Sequence, residues 1–246
     1  RDTDRSRGLG DVYKRQTVSD SEWNPQCHIM KLKENGDILN PMDWEKPIRV
    51  RRADGSFLSE EGINIDMTPV KSGERYFYVW SHRKNIGTPL DTGSMLMIAE
   101  FDSVHPEQLT SEPKCLSRPL YGFENTEHTI NNEGPYAFYY HNKIYLAYSG
   151  GDARGYLYAI GMLTANDGDD LCDLSVWEKA KTPIASFATI PGEYGPGHNS
   201  FFWDRYQNLW IVYHAVTSFE EKIVSSGMRR VYFEQDKTPR FDVIVE

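Results

Sequence analysis

The sequence is short of several things, and each shortage removes a class of function. No stretch of 18 consecutive apolar residues occurs among the 246, so no transmembrane helix is expected. Cysteine is scarce: Cys27, Cys115 and Cys172 are far apart and odd in number. They make neither a Cys-x-x-Cys pair nor a disulfide framework, and they read as buried free thiols. Positive charge is in deficit, 27 Lys and Arg against 36 Asp and Glu, a formal net of −9. Such a chain is a poor partner for nucleic acid or an anionic membrane, while a neutral sugar is unaffected. Helical periodicity is missing, since no long run keeps apolar residues at a 3.6 spacing. Ser149-Gly150-Gly151-Asp152 is glycine-rich, but no P-loop lysine follows, so a phosphate site is not expected.

The start lacks Met, and residues 1–16 (RDTDRSRGLGDVYKRQ) lack apolar periodicity, a signal-peptide core and capping chemistry. They look like translated adapter sequence and are expected to be foreign to the fold. Residues 17–246 are then the native part, with 22 positive and 33 negative charges, a net of −11. On that expectation the native N-terminus is lost, and any export signal with it. Location and oligomeric state are left open.

Aromatic residues, by contrast, are abundant: 6 Trp, 15 Tyr and 11 Phe. They fall in a repeat. Tyr76-Phe77-Tyr78-Val79-Trp80-Ser81, Ile144-Tyr145-Leu146-Ala147-Tyr148-Ser149 and Leu209-Trp210-Ile211-Val212-Tyr213-His214 are alike in composition, and each follows a turn-like stretch. Aromatic and β-branched runs entered from a turn are strands of hairpins. Upstream of them, Asp66, Glu133 and His198 each open a further apolar stretch, ten or eleven residues before the aromatic one. Third strands are expected at Met95–Phe101, Leu157–Thr164 and Arg229–Phe233. Fourth segments are expected to end at Leu120 and Ile184, and near Val245. Residues 25–50 echo only the outer half of such a unit, with Asp37–Trp44 before Ile48 matching Asp173–Trp177 before Ile184. Four-stranded units in series describe an all-β propeller, with about three and a half blades in this chain.

In a propeller the innermost strands line one central channel. Asp66, Glu133 and His198, opening those strands in successive blades, are therefore expected to converge. Two carboxylates in one pocket are the working parts of glycoside hydrolysis, one protonated to donate to the leaving oxygen. Like charge nearby raises one of the two pKa values.

The motifs around these residues carry a family resemblance. Gly62-Ile63-Asn64-Ile65-Asp66-Met67-Thr68-Pro69, Asn132-Glu133-Gly134-Pro135-Tyr136 and Gly195-Pro196-Gly197-His198-Asn199-Ser200 resemble, in order and at blade spacing, three motifs of glycoside hydrolase family 43. The closing run Arg230–Pro239 is similar as well, so the likeness covers about residues 25–246. The resemblance implies a five-bladed β-propeller and an inverting glycosidase needing no cofactor. It implies Glu133 as general acid and Asp66 as the residue that tunes and holds it. It implies His198 in the channel, beside a water or a calcium ion. A lone neutral imidazole is an unusual ligand for calcium, so water would supply most of the coordination. The favoured activity is that of an α-L-arabinofuranosidase on arabinose- or xylose-containing plant polysaccharide. A β-xylosidase or endo-arabinanase is the alternative within the family. A fructosyl-processing five-bladed enzyme or a non-catalytic sugar-binding propeller is the alternative outside it.

The pattern departs from the family at one place. The general-base Asp belongs in a blade before residue 25, where the sequence looks foreign. Asp20, Asp37 and Asp43 are the nearest carboxylates, and the latter two read as solvated turn residues. The chain as it stands is expected to be inactive. Tyr136 and Trp80, with Phe123, are candidate sugar-stacking faces, and Asn64 and Asn199 are candidate partners for sugar hydroxyls. Arg229 or Arg230 is expected to reach the channel, with alternation choosing between them. His82, Glu124, Glu127 and His128 fit no zinc spacing and read as a solvated loop.

Overall fold

The computed structural model describes residues 13–19, 24–218, 220 and 223–243. The first sheet has three strands in the order β1 (Tyr13–Ser19), β2 (Pro25–Lys31) and β3 (Ile48–Arg49). The second has four: β4 (Ile63–Ser72), β5 (Arg75–Arg83), β6 (Met95–Glu100) and β7 (Lys114–Ser117). A two-stranded ribbon, β8 (Asn125–Thr126) and β9 (Thr129–Ile130), leads into a third sheet. That sheet runs β10 (Asn132–Tyr140), β11 (Lys143–Gly150), β12 (Ala159–Asn166) and β13 (Glu178–Lys179). The fourth has β14 (Tyr194–Trp203), β15 (Leu209–Ser218) and β16 (Ile223–Arg230), and a ribbon of β17 (Tyr232–Phe233) and β18 (Pro239–Arg240) follows. Sequential strands pair antiparallel throughout. Among the described residues helix is limited to three one-turn 3-10 segments, so none is long enough to cross a membrane.

Burial explains why the aromatic strands carry no polar alternation. On β5, Phe77 and Val79 pack with Ile144 and Leu146 of the third sheet. Tyr78 and Trp80, on the other face, pack with Cys27 and Ile29 of the first. On β11 the neighbours alternate again: Tyr145 and Ala147 turn toward Phe201 and Ile211 of the fourth sheet. A strand covered on both faces reads as one apolar run. The core is thus three layers, each between two successive sheets, which are the blades of a β-propeller.

The first sheet supplies the outer strands of a blade. Asn40 caps the turn Pro41–Asp43 by accepting from Met42 N–H, as Asp173 caps Leu174–Val176 from Ser175 N–H. Trp44 and Trp177 follow these turns, and each indole donates to a carbonyl six residues back, Ile38 and Leu171. β2 and β3 therefore correspond to β12 and β13, and β1 to the second strand, β11. No strand inside β1 is described in this sheet. β1 runs through Tyr13–Gln16, the end of the segment set apart in the sequence, while residues 1–12 lie outside the described ones.

Two expected strands are placed differently. β12 starts at Ala159, two residues after Leu157. The third strand of the last blade is Ile223–Arg230, paired from Trp210↔Arg230 to Val216↔Val224, and Tyr232–Phe233 belong to a separate ribbon. Its Ser225-Ser226-Gly227 stretch has low strand propensity and hid it. Gly227 is required because a Cβ there would stand 2.6 Å from the Tyr213 ring. Phe241–Val243 carry no strand, and residues 244–246 lie outside the described ones.

Candidate active site

Each innermost strand breaks its register at the same height, and β14 does so a second time, between Tyr194 and Gly197, with Gly195 at positive φ. The shared breaks fall between Ile65 and Thr68, between Glu133 and Tyr136, and between Gly197 and Ser200. In each, three steps on the inner strand face two on its partner, which is a β-bulge. The bulge holds one residue at positive φ: Asp66 at 58°, Gly134 at 56° and His198 at 49°. Left-handed backbone in a non-glycine strand residue is costly and recurs at functional sites. Register also shows that Glu133 is not the counterpart of Asp66. Glu133 pairs with Ser149, as Ile65 pairs with Ser81, so it precedes the left-handed position that Asp66 occupies.

The three bulges bring Asp66, Glu133 and His198 to one point. Asp66 Oδ2 accepts from Gly134 N–H at 3.2 Å and from Ser81 Oγ at 3.3 Å. His198 Nε2 stands 3.8 Å from Asp66 Oδ1, and its backbone N–H donates to Ser149 Oγ at 2.7 Å. Ala at 134 would put its Cβ 3.3 Å from the His198 ring, so glycine here also makes room.

Glu133 Oε1 accepts from the hydroxyl of Tyr158 at 2.7 Å. Burial pushes the Glu133 carboxyl above its ordinary range, and the negative charge of Asp66 pushes it further. The hydrogen bonds from Tyr158 and Asn131 and the charge of His198 pull the other way without cancelling the rise. Tyr158, itself fully buried, is pushed well above the usual phenol range, first by burial and then by Glu133. Its ring lies 5.4 Å from His214 at 7° between planes, and Gly197 passes so close that a Cβ there would be 2.1 Å from it. Burial lowers the His214 pKa, and its Nε2 lies 3.1 Å from Ala153 O.

The other expected residues fall elsewhere. Asn64 is 1% exposed, donates to Gln26 Oε1 and Ser59 Oγ and accepts from Trp80 Nε1, which occupies its amide. Trp80, also 1% exposed, lies in the layer between the first two sheets. Tyr136 packs on Phe201, ring centroids 6.1 Å apart, and Phe123 packs against the layer between the second and third sheets. Asn199 is buried next to His198 in sequence, with no partner for either amide atom among the described residues. Arg229 is bound to Glu193 and the Tyr213 hydroxyl, and Arg230 lies over Tyr232. Asp37 and Asp43 bond within their own turn, and Asp20 lies outside the described residues.

The expected solvated loop is partly wrong. Glu124 is fully buried: it accepts from Tyr121 N–H and Tyr148 OH and pairs with Lys179. A buried carboxylate persists only with such partners. Glu127 accepts from the backbone N–H of Tyr156 and Leu157.

For calcium the donor set does not fit. Asp66, Glu133 and His198 are neighbours, but among the described residues no group of three His, Cys, Asp or Glu side chains is placed to hold a metal ion. His198 offers one imidazole, a poor ligand for a hard cation.

Ser81, Ser149, Tyr158 and His214 were missed as site residues. For three of them the signal was present. Ser81, Ser149 and His214 end the three aromatic repeats, opposite the residue just before each left-handed position.

A family model, Glycosyl hydrolases family 43, matches residues 21–239. The chain belongs to glycoside hydrolase family 43. An extracellular exo-α-(1→5)-L-arabinofuranosidase of Streptomyces avermitilis is 28% identical over 245 residues, covering 95% of this family 43 chain and 47% of its own. Its namesake from Streptomyces chartreusis is 31% identical over 173 residues, 70% of this chain and 49% of that one. The chain spans about half the length of the curated relatives it matches. Among solved structures, the α-L-arabinofuranosidase from Lactobacillus brevis superposes with a TM-score of 0.78 at 23% identity, over 94% of this chain and 72% of that one. That likeness is one of fold.

Proposed function

We propose that the chain carries the acid side of an inverting glycosidase that releases α-L-arabinofuranosyl units from arabinose-containing plant polysaccharide. One observation carries this: Glu133 is half-buried and set beside the charge of Asp66, which together favour a protonated carboxyl and outweigh the Tyr158 hydrogen bond that favours the ionised one. Such a group donates its proton to the glycosidic oxygen as the bond to the anomeric carbon breaks. Asp66, held by Gly134 N–H and Ser81, keeps the proton on Glu133 until then. The arabinofuranosyl specificity rests on the relatives' activities. In an inverting site water attacks from the opposite face, activated by a base about 6.5–9.5 Å from the acid. Among the described residues Asp66 is the carboxylate whose charge acts on Glu133, and it serves as modulator, which leaves the base unfilled.

The test uses the 246-residue chain with an aryl α-L-arabinofuranoside. In buffer it is expected to leave the substrate intact. Azide, which attacks the anomeric carbon without needing a base, is expected to restore turnover and give an arabinofuranosyl azide of inverted configuration. A retained configuration, or turnover of aryl β-xyloside instead, overturns the reading.

A further inference from the structure

Three aromatic side chains meet where the segment before Tyr158 approaches the start of β14. Tyr156 lies two residues before Tyr158, the partner of Glu133. Its ring meets Phe187 at 4.7 Å and Tyr194 at 4.6 Å between centroids. Tyr194 opens β14, four residues before His198. The loops are fixed to each other and to the site. Gly195 N–H donates to Tyr156 O, and a Cβ on Gly195 would be 2.3 Å from Gly155 O. Glu127 grips Tyr156 N–H and Leu157 N–H from the β8–β9 turn, where Glu127 and His128 both have positive φ. Ser186 ties its own turn through Thr189 and Ala188, and Ile190 anchors it in the core.

Phe187 is nonetheless 38% exposed on that pinned turn. A pinned turn that holds a large ring partly in water, against the half-buried rings of Tyr156 and Tyr194, leaves an aromatic face open to a ligand. Position decides what binds. Glu133 gives its proton to the leaving oxygen, so the sugar joined through that oxygen lies on the Glu133 side. Tyr158 and the loop before it form that side.

We infer that Tyr156, Phe187 and Tyr194 form a stacking platform for the saccharide unit on the leaving-group side of the bond. The inference rests on Glu133 being the acid. The ligand class is a neutral sugar ring, whose C–H face packs on aromatic faces, and the platform favours oligosaccharides over a single arabinose or an aryl glycoside.

The test is a calorimetric titration of the 246-residue chain with α-1,5-linked arabinotriose. The wild-type chain is expected to bind it, Phe187→Ala to weaken binding about fivefold, as loss of one ring contact implies, and Phe187→Trp to restore it. Tyr194→Ala is expected to act in the same direction. Unchanged affinity in both alanine variants, with the trisaccharide still bound, overturns the platform and leaves the acid assignment standing. No binding to the folded wild-type chain overturns the substrate reading, and the platform with it.

Discussion

The inner strands β4 and β10 share one backbone device and use it oppositely. Both bulge at the same height and both place one residue at positive φ. In β4 that residue is Asp66, the proposed modulator, which accepts from the N–H of Gly134 and the hydroxyl of Ser81. In β10 it is Gly134, and Glu133, the carboxylate proposed as the acid, sits one residue earlier, half-buried against Tyr158. The single-residue offset decides the chemistry. It presents Asp66 to two donors and sets Glu133 against the Tyr158 hydroxyl, and the charge of the first raises the pKa of the second.

Removing the acid breaks the comparison most severely. Glu133→Gln is expected to cut azide-supported turnover of an aryl arabinofuranoside by about 10²–10⁴-fold, the usual worth of a general acid. Gly134→Ala comes next. It forces a left-handed alanine, costing about 1–2 kcal/mol, brings a Cβ against His198 and disturbs the donor to Asp66. Urea unfolding should show that loss.

Two milder substitutions sharpen the contrast by moving one pKa in opposite directions. Asp66→Asn removes a charge that raises Glu133, so the limb of the pH–rate profile set by the acid is expected to move to lower pH. Tyr158→Phe removes a hydrogen bond that lowers it, so the limb is expected to move to higher pH. A common direction for both would remove the case for two distinct environments. The smallest effect is on stability. A carboxyl raised in the folded state contributes stability at low pH that is lost as pH rises through its folded value. Glu133→Gln avoids that loss, so its melting temperature is expected to exceed the wild type's in the alkaline range and to converge with it in acid.

Much of this was legible in the sequence. The aromatic runs of β5, β11 and β15 announce strands buried on both faces, and Asp66, Glu133 and His198 converge as their spacing requires. The bulges were not legible. One extra residue reverses the alternation of everything beyond it, so period-2 reasoning could not say which neighbours face the channel. That is why Asn64 and Trp80 looked available for substrate and are instead bonded to each other in an interblade layer. Tyr158 was hidden for another reason: it lies just before β12, inside a stretch that reads as plain strand. Glu124 looked solvated because its partner Lys179 is 55 residues away in sequence.

The ring of Tyr158 is seated between two groups that belong to the following blade, Gly197 of β14 and His214 of β15. The acid and its hydrogen-bond donor come from one blade, while the seat that fixes the donor comes from the next. Neither blade alone owns the proton affinity of Glu133; it is a property of their joint. On the proposed role of Glu133, the docking of one blade on the next is what seats the hydrogen-bond partner of the acid.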